Sequence, residues 1–501
     1  MNKEEALKVL KAEDSAITRI GHIIAALGWD QDTQMPPKGA DERGEQMAML
    51  SSLIHEKSTS SRMQEAVAAL SDAELEGADA ALLRNWKKEL SNALKIPAEL
   101  VTKMSIASNN AHYKWIEARE KSDFSIYEGA LSEMVALEKE KAALIGGHDR
   151  YYDTLLDMYE EGMSEAVIDP IFDDLESSIH SLMDKLGKVD ADDSFLYSGY
   201  DQPKLHSFCL SVIDKMGFDK SRGIVGITPH PYTTSLGVDD IRISTRYEDD
   251  GLFDPIGSIT HETGHALYDM HAALNPETRG SSLAQGCSMG IHESQSRFWE
   301  NLMGRSYPFW EYFYPELQKN IASLEGVSLD AFMKAINKPS SSAIRVNADE
   351  LTYNLHIILR YRIEKELFSG KIQVKDLPER WNSLSSSIIR YDVKNDAEGV
   401  LQDVHWSMDS FGYFPTYALG NIYSAQFLEK LYQDVGGKSV VDDALRSGNL
   451  SLITSWQNEN IWKKGSLYKP SDLVFSITGS KIDANPFKEY LCRKFSELYL
   501  A

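Results

Sequence analysis

Residues 261–265 read His-Glu-Thr-Gly-His, and this pentapeptide restricts the local fold more than any other part of the chain. Two imidazoles at i and i+4 share a face when the backbone is helical, so a helix here lets both bind one ion. Upstream, Asp254 and Pro255 supply an N-cap and a proline for the first helical position. The run continues through Ala266, Leu267, Tyr268 and Met270 without a proline. A helix starting at Asp254 carries the pentapeptide about two turns in. Zn²⁺ favours four ligands, so two neutral histidines leave room for one further protein donor and a water. That donor has to come from another element, and the fold must bring a second segment back to this face. Glu293, within Gly290-Ile291-His292-Glu293-Ser294-Gln295, is the preferred donor; the chain can turn at Pro276 and Gly280 in between. His292 is the alternative, because neighbouring side chains on a helix point about 100° apart and one of the two faces elsewhere. Glu293 can also be read as the i, i+4 ion-pair partner of Arg297. With Glu262 placed to polarise the water, the set carries the chemistry of peptide-bond hydrolysis.

The remaining composition removes other classes. The chain has 501 residues, long enough for a large buried core, with 42% hydrophobic and 26% charged residues, which is the balance of a soluble globular protein. A net charge of −24 argues against a nucleic-acid partner, since phosphate binding needs a surplus of lysine and arginine. Cys209, Cys287 and Cys492 are odd in number and far apart, which argues against a disulfide framework and for a reducing compartment. The first ten residues alternate charged and apolar side chains rather than forming a signal-peptide core, and no stretch approaches the roughly 18 apolar residues of a membrane span. A cytoplasmic location without a membrane partner is the expectation.

From Lys3 to about Leu186, apolar residues recur at three and four, the rhythm of successive amphipathic helices. Asp72-Ala73-Glu74 and Ser122-Asp123 read as helix starts, Pro97 and Gly146-Gly147 as breaks. Between Gly223 and Tyr247 the rhythm changes: Ile241, Ile243 and Thr245 alternate with Arg242, Ser244 and Arg246, the period of a strand. Such a strand beside the ion can pair with an extended substrate or serve as a structural ribbon. Long amphipathic helical stretches resume over 349–367 and 416–435, and the segment 399–420 is rich in histidine, tryptophan, tyrosine and glycine. No repeat or low-complexity linker divides the chain, so one domain over 1–501 is expected, with a helical lobe over roughly 1–190 and a metal- and substrate-binding part over 191–501.

Several further motifs accompany the pentapeptide: His292-Glu293-Ser294-Gln295, Asp240-Ile241-Arg242, Ile344-Arg345-Val346-Asn347-Ala348-Asp349 and Gly399-Val400-Leu401-Gln402-Asp403-Val404-His405-Trp406. Trp29-Asp30 with Met35-Pro36-Pro37 and Thr478-Gly479 with Tyr490-Leu491 extend the pattern toward both ends. With them the chain resembles the M32 metallocarboxypeptidases, the family of carboxypeptidase Taq, over essentially its whole length. Two positions depart: the family's Asp-x-Arg-x-Thr ends in Ser244, and its His-Pro-Phe reads His230-Pro231-Tyr232. The first keeps the hydroxyl; the second adds a phenolic oxygen near the expected groove and bears on specificity. The resemblance implies a mainly α, zincin-type fold with a deep groove, a few short strands lining it, and a homodimer. It also implies His261, His265 and Glu293 as metal ligands and Glu262 as general base.

A carboxypeptidase must also recognise a free C-terminal carboxylate, preferably with arginine, whose planar fork binds two oxygens. Arg345 is the first choice and Arg242 the second, with an Asp240–Arg242 ion pair as the competing reading. Donors to the oxyanion of the tetrahedral intermediate are sought among His230, His405 and Tyr417, the last equally readable as aromatic core. Gln402 and Asp403 are candidates for orienting the ligands. Zinc suits two histidines and a carboxylate, with cobalt or manganese as alternatives. The function read from the sequence is therefore release of C-terminal residues from peptides with free C-termini, with broad specificity. The competing readings are an oligoendopeptidase or dipeptidase on the same ion, and a non-catalytic helical scaffold, against which the intact ligand set argues. An aminopeptidase is disfavoured, as no acidic amine-binding motif shortly precedes the pentapeptide.

Overall fold

A computed structural model describes residues 1–247 and 251–500. The chain forms two compact units, one of Met1–Ala93, Ala191–Ile336 and Tyr423–Lys481, the other of Leu94–Asp190, Asn337–Ile422 and Ile482–Ala501. Both are built mainly from helices, and among the described residues the strands are confined to one three-stranded sheet in the first unit. No helix of the described residues is long and apolar enough to cross a membrane.

In the first unit, helix Lys3–Thr33 is capped by the Asn2 side chain, which accepts from the Glu5 amide at 2.9 Å. Its residues Ala6, Val9 and Leu10, at helical spacing, pack with Met63, Ala66, Val67, Leu70, Leu82, Trp86 and Leu90 in one buried cluster. The Trp86 indole donates to Asp14 at 2.8 Å, and the other Asp14 oxygen accepts from the Ser282 amide at 3.1 Å. This buried carboxylate fastens the N-terminal helix to the loop that follows the pentapeptide helix. The helix expected to start at Asp72 begins instead at Gly77; the Ala73 amide bonds back to Leu70, so Asp72 and Ala73 belong to the turn closing helix Ser61–Leu70.

The strands are β1 (Gly223–Ile227), β2 (Thr233–Gly237) and β3 (Asp240–Thr245), in the order β1-β3-β2, with β1 parallel and β2 antiparallel to β3. Ile241 and Ile243 are buried as their alternation requires, but Ser244 on the opposite phase is buried too. Its hydroxyl accepts from the Tyr232 amide at 3.0 Å and from Thr228 Oγ1 at 2.6 Å, so the oxygen that serine keeps at this position is in use. A Cβ at Gly223 would stand 2.7 Å from the Ile241 carbonyl oxygen, a backbone atom of β3, so glycine lets β1 lie this close to its neighbouring strand.

The second unit confirms the breaks: Pro97 precedes helix Ala98–Lys121, and Gly146, at φ +61°, ends helix Ser125–Ile145. Helix Tyr353–Ser369 differs from the amphipathic expectation, because Leu355, Ile357, Ile358, Leu359, Ile363 and Leu367 together cover its whole circumference and are all buried. It carries His356, Arg360 and Glu364 into the interior as well. Their neighbours come from distant segments: Asp403 pairs with Arg360, while Tyr152, Trp406 and the Gly412 amide donate to Glu364 at 2.7, 2.7 and 3.0 Å.

Candidate metal centre and arginine cluster

The pentapeptide lies on helix Phe253–Ala272. This helix begins one residue before the expected cap, with Leu252 at the N-cap and Asp254 and Pro255 inside the first turn. Proline is tolerated there because first-turn amides have no intrahelical acceptor. The His261 and His265 rings stand 4.9 Å apart at 80°, on one face. Helix Met289–Arg297, capped by Ser288, which accepts from the Ile291 amide at 3.1 Å, brings Glu293 to that face. Its Oε2 lies 3.8 Å from His261 Nε2 and its Oε1 4.0 Å from His265 Nε2. One ligand atom from each of the three residues lies within 4.8 Å of the other two, as a single ion requires. The helices meet at Gly264, where a Cβ would stand 2.5 Å from the Gln295 carbonyl oxygen and 2.7 Å from Ser296 Cα.

Whether this set fits a divalent cation depends on which nitrogens keep their lone pairs. His261 Nδ1 is 2.8 Å from Glu300, and His265 Nδ1 is 2.6 Å from His292 Nδ1. Both Nδ1 atoms are engaged away from the centre and both Nε2 atoms converge on Glu293, so the donor set fits. His292 itself faces Asp269, with its Nε2 at 3.0 Å. Arg297 stands 3.6 Å from Glu293, so the carboxylate makes the i, i+4 pair and faces the histidines at once. Glu300 arrives on a π-helical turn, Phe298–Met303, directly after this helix; such turns recur at functional sites.

Glu262 is buried, and Thr233 Oγ1 on β2 lies 2.6 Å from its Oε2. Burial pushes the Glu262 carboxyl above its ordinary range, against the pull of His261 and Thr233. Burial, His292 and His261 all hold His265 well below its usual value. At Glu300 the effect of burial is outweighed by Arg297 and His261, which bring it down to about 2, so this carboxylate stays charged beside His261. His230 stands exposed on the turn between β1 and β2. Arg242 makes a two-pronged pair with Asp240, both contacts at 2.8 Å, and its guanidinium lies 5.7 Å from the centroid of the Trp29 ring.

In the second unit Arg345, His405 and Tyr417 come together. Arg345 is 6% exposed and donates to Asp403 Oδ1 at 3.0 and 2.9 Å and to the Tyr353 hydroxyl at 3.1 Å. Its guanidinium lies 5.1 Å from the centroid of the Tyr417 ring, and the Tyr417 hydroxyl is 3.4 Å from His405 Nε2. Asp403 Oδ2 takes Arg360, 2.7 Å from its Nε. Burial would raise the Asp403 carboxyl, but the two guanidiniums hold it well below the usual range. Burial pushes His405 down to about 4, so its ring is neutral at neutral pH. Gln402 accepts from the Arg345 amide at 2.9 Å. Gln402 and Asp403 thus bond to Arg345, and Asp403 to Arg360 as well, while the groups in contact with the Nδ1 atoms of His261 and His265 are Glu300 and His292. Sequence reasoning missed Thr233, Asp269, Glu300 and Arg360. Asp269 and Glu300 each carried a signal, four residues after His265 and seven after Glu293 on the same helical faces.

The sequence profile of the Carboxypeptidase Taq (M32) metallopeptidase family matches residues 9–495. The chain belongs to this family. Its relatives include carboxypeptidase 1 of Bacillus subtilis (strain 168), 36% identical over 97% of each chain. Thermostable carboxypeptidase 1 of Thermus thermophilus is 36% identical over the full length of both. The solved structure of a Pyrococcus furiosus carboxypeptidase superposes with a TM-score of 0.95 at 34% identity, covering 98% of this chain and 99% of that one. The enzyme is therefore a metallocarboxypeptidase, a hydrolase of peptide bonds.

Proposed function

We propose that the enzyme removes C-terminal residues, with broad specificity, from peptides bearing a free C-terminus, with Glu262 as general base and His261, His265 and Glu293 as ligands of one zinc ion. The observation that carries this reading is the convergence of two Nε2 atoms and one carboxylate, with both Nδ1 atoms engaged elsewhere. When bound, the cation supplies a Lewis acid that polarises the scissile carbonyl and lowers the pKa of water. Glu262 accepts the water's proton and hands it to the departing amine. Its raised pKa suits both halves of that task, and Thr233 keeps the carboxylate aimed. Arg345 receives the substrate carboxylate: three of its five donors are spent on Asp403 and Tyr353. Arg242, with two donors held by Asp240, is the second candidate. The oxyanion donors are proposed among His405, Tyr417 and the exposed His230. A homodimer and a cytoplasmic location belong to the same proposal; no disulfide joins Cys209, Cys287 and Cys492.

The test is release of single amino acids from matched peptides with free and amidated C-termini, by the zinc-loaded wild type and by Glu262→Gln. Stepwise release from free-ended peptides alone, lost in the variant, supports the proposal. Internal cleavage of both sets would replace it with an endopeptidase and remove the role given to Arg345.

A further inference from the structure

We infer that His292, held by Asp269, is a positioning residue for His265 that fixes which nitrogen of that imidazole keeps its lone pair. The inference rests on the metal reading above and extends it to residues given no role there. Asp269 Oδ1 lies 3.0 Å from His292 Nε2, and its other oxygen accepts from Ser235 Oγ on β2 at 2.8 Å. An ionised carboxylate only accepts, so His292 Nε2 carries the hydrogen. With His265 Nε2 turned to the site as the metal reading requires, its Nδ1–H is left for His292 Nδ1, 2.6 Å away, and a His292 ring holding its one proton on Nε2 accepts it. Two ring nitrogens at that distance share a single proton, and it must belong to His265. His265 is thereby the Nδ1–H tautomer, with its Nε2 lone pair directed toward Glu293. The opposite proton order would place a hydrogen on His265 Nε2 and close it to any ion.

The packing holds this chain in one orientation. The His292 ring lies 5.2 Å from that of Tyr268, and a Cβ at Gly286 would stand 2.6 Å from His292 Cδ2, so the imidazole is gripped from two sides. The two ligands are served unequally. His261 is backed directly by the Glu300 carboxylate, His265 through a neutral imidazole, which is the weaker acceptor. His265 is therefore the ligand whose donor strength depends on a relay.

The measurement is zinc affinity, by competition with a chromophoric chelator, of full-length wild type, His292→Leu and His292→Gln. Glutamine offers one acceptor and one donor on a planar group, as the imidazole does; leucine offers neither. The leucine variant should lose roughly 10- to 100-fold in affinity while glutamine stays within a few-fold of wild type. Wild-type affinity in the leucine variant, or equal losses in both, would overturn the inference by leaving only ring packing. Failure of the wild type to bind zinc would instead remove the metal reading and this inference with it. If the leucine variant does not fold, nitrogen NMR of wild type with labelled histidine carries the test: His292 protonated on Nε2 and His265 on Nδ1 supports the relay, and the reverse order overturns it.

Discussion

Gly264→Ala adds a single methyl group and should damage this enzyme more than its size suggests. The new Cβ would lie 2.5 Å from the Gln295 carbonyl oxygen, 2.7 Å from Ser296 Cα and 2.9 Å from the Gln295 carbonyl carbon. All three are backbone atoms, so no rotamer change relieves the contact. Relief to an ordinary separation of about 3.5 Å requires the two helices to part by roughly 1 Å. One of those helices carries His261 and His265, the other Glu293. Overpacking of this kind costs about 1–3 kcal/mol, and a displacement of about 1 Å at a reacting centre can lower turnover roughly 100-fold. Gly257 on the same helix is the control: a Cβ there would meet only Phe253 ring carbons at 3.6 and 3.8 Å, an ordinary contact. Alanine at 257 should keep wild-type turnover and gain up to about 1 kcal/mol from helix propensity. Thermal unfolding and turnover of a free-ended peptide, measured on both variants with zinc in excess, separate the two. Equal behaviour of Gly264→Ala and Gly257→Ala would refute the idea that backbone contact at Gly264 sets the ligand geometry.

Two further outcomes follow from the buried charges of the second unit. Burial pushes Glu364 up to about 7 from an ordinary 4.5, despite its three hydrogen-bond donors. The folded state therefore keeps a proton that the unfolded chain releases. The resulting stabilisation is full below pH 4.5 and is lost as pH rises through about 7, a change of roughly 3 kcal/mol. Denaturant unfolding of wild type and Glu364→Gln between these limits should show the wild-type advantage shrinking with pH, and a constant difference would contradict it. Asp403→Asn leaves Arg345 and Arg360 buried together without their shared carboxylate. Its expected cost is about 3–5 kcal/mol, read as a lower unfolding midpoint. An unchanged midpoint would mean the pair is solvated or separated.

What the sequence disclosed and what it withheld have one physical origin. His261, Glu262 and His265 were legible because one helical turn fixes their mutual geometry, and Glu293 because an ion with two histidine ligands calls for a further donor. The helical rhythm of the first 186 residues was legible for the same reason: a period needs no knowledge of what packs against it. The orienting groups were not. Thr233 meets Glu262, and Glu300 meets His261, across loops whose course no local pattern specifies. Glu300 and Asp269 share helical faces with Glu293 and His265, but on spacing alone they read equally as solvated helix charges. Asp403 was a candidate for orienting the ligands because a carboxylate in a polar motif suits either role; its pairing with the buried Arg345 and Arg360 depends on segments that no local pattern joins.

The small sheet shows how two local periods combine into something neither predicts. Alternate residues of β2 share a face, which puts the hydroxyls of Thr233 and Ser235 on one side. Residues seven apart on a helix also share a face, which aligns Glu262 with Asp269. The structure joins the two rows: Thr233 to Glu262 at 2.6 Å and Ser235 to Asp269 at 2.8 Å. One short strand thus braces the proposed base directly and His265 through Asp269 and His292. A shift of β2 by one residue would withdraw both hydroxyls together, because every side chain on it would change face. The register that pairs Thr233 with Ile243 and Ser235 with Ile241 is therefore part of the proposed catalytic geometry. The buried isoleucines of β3 hold that register through hydrophobic burial, at positions with no chemistry of their own.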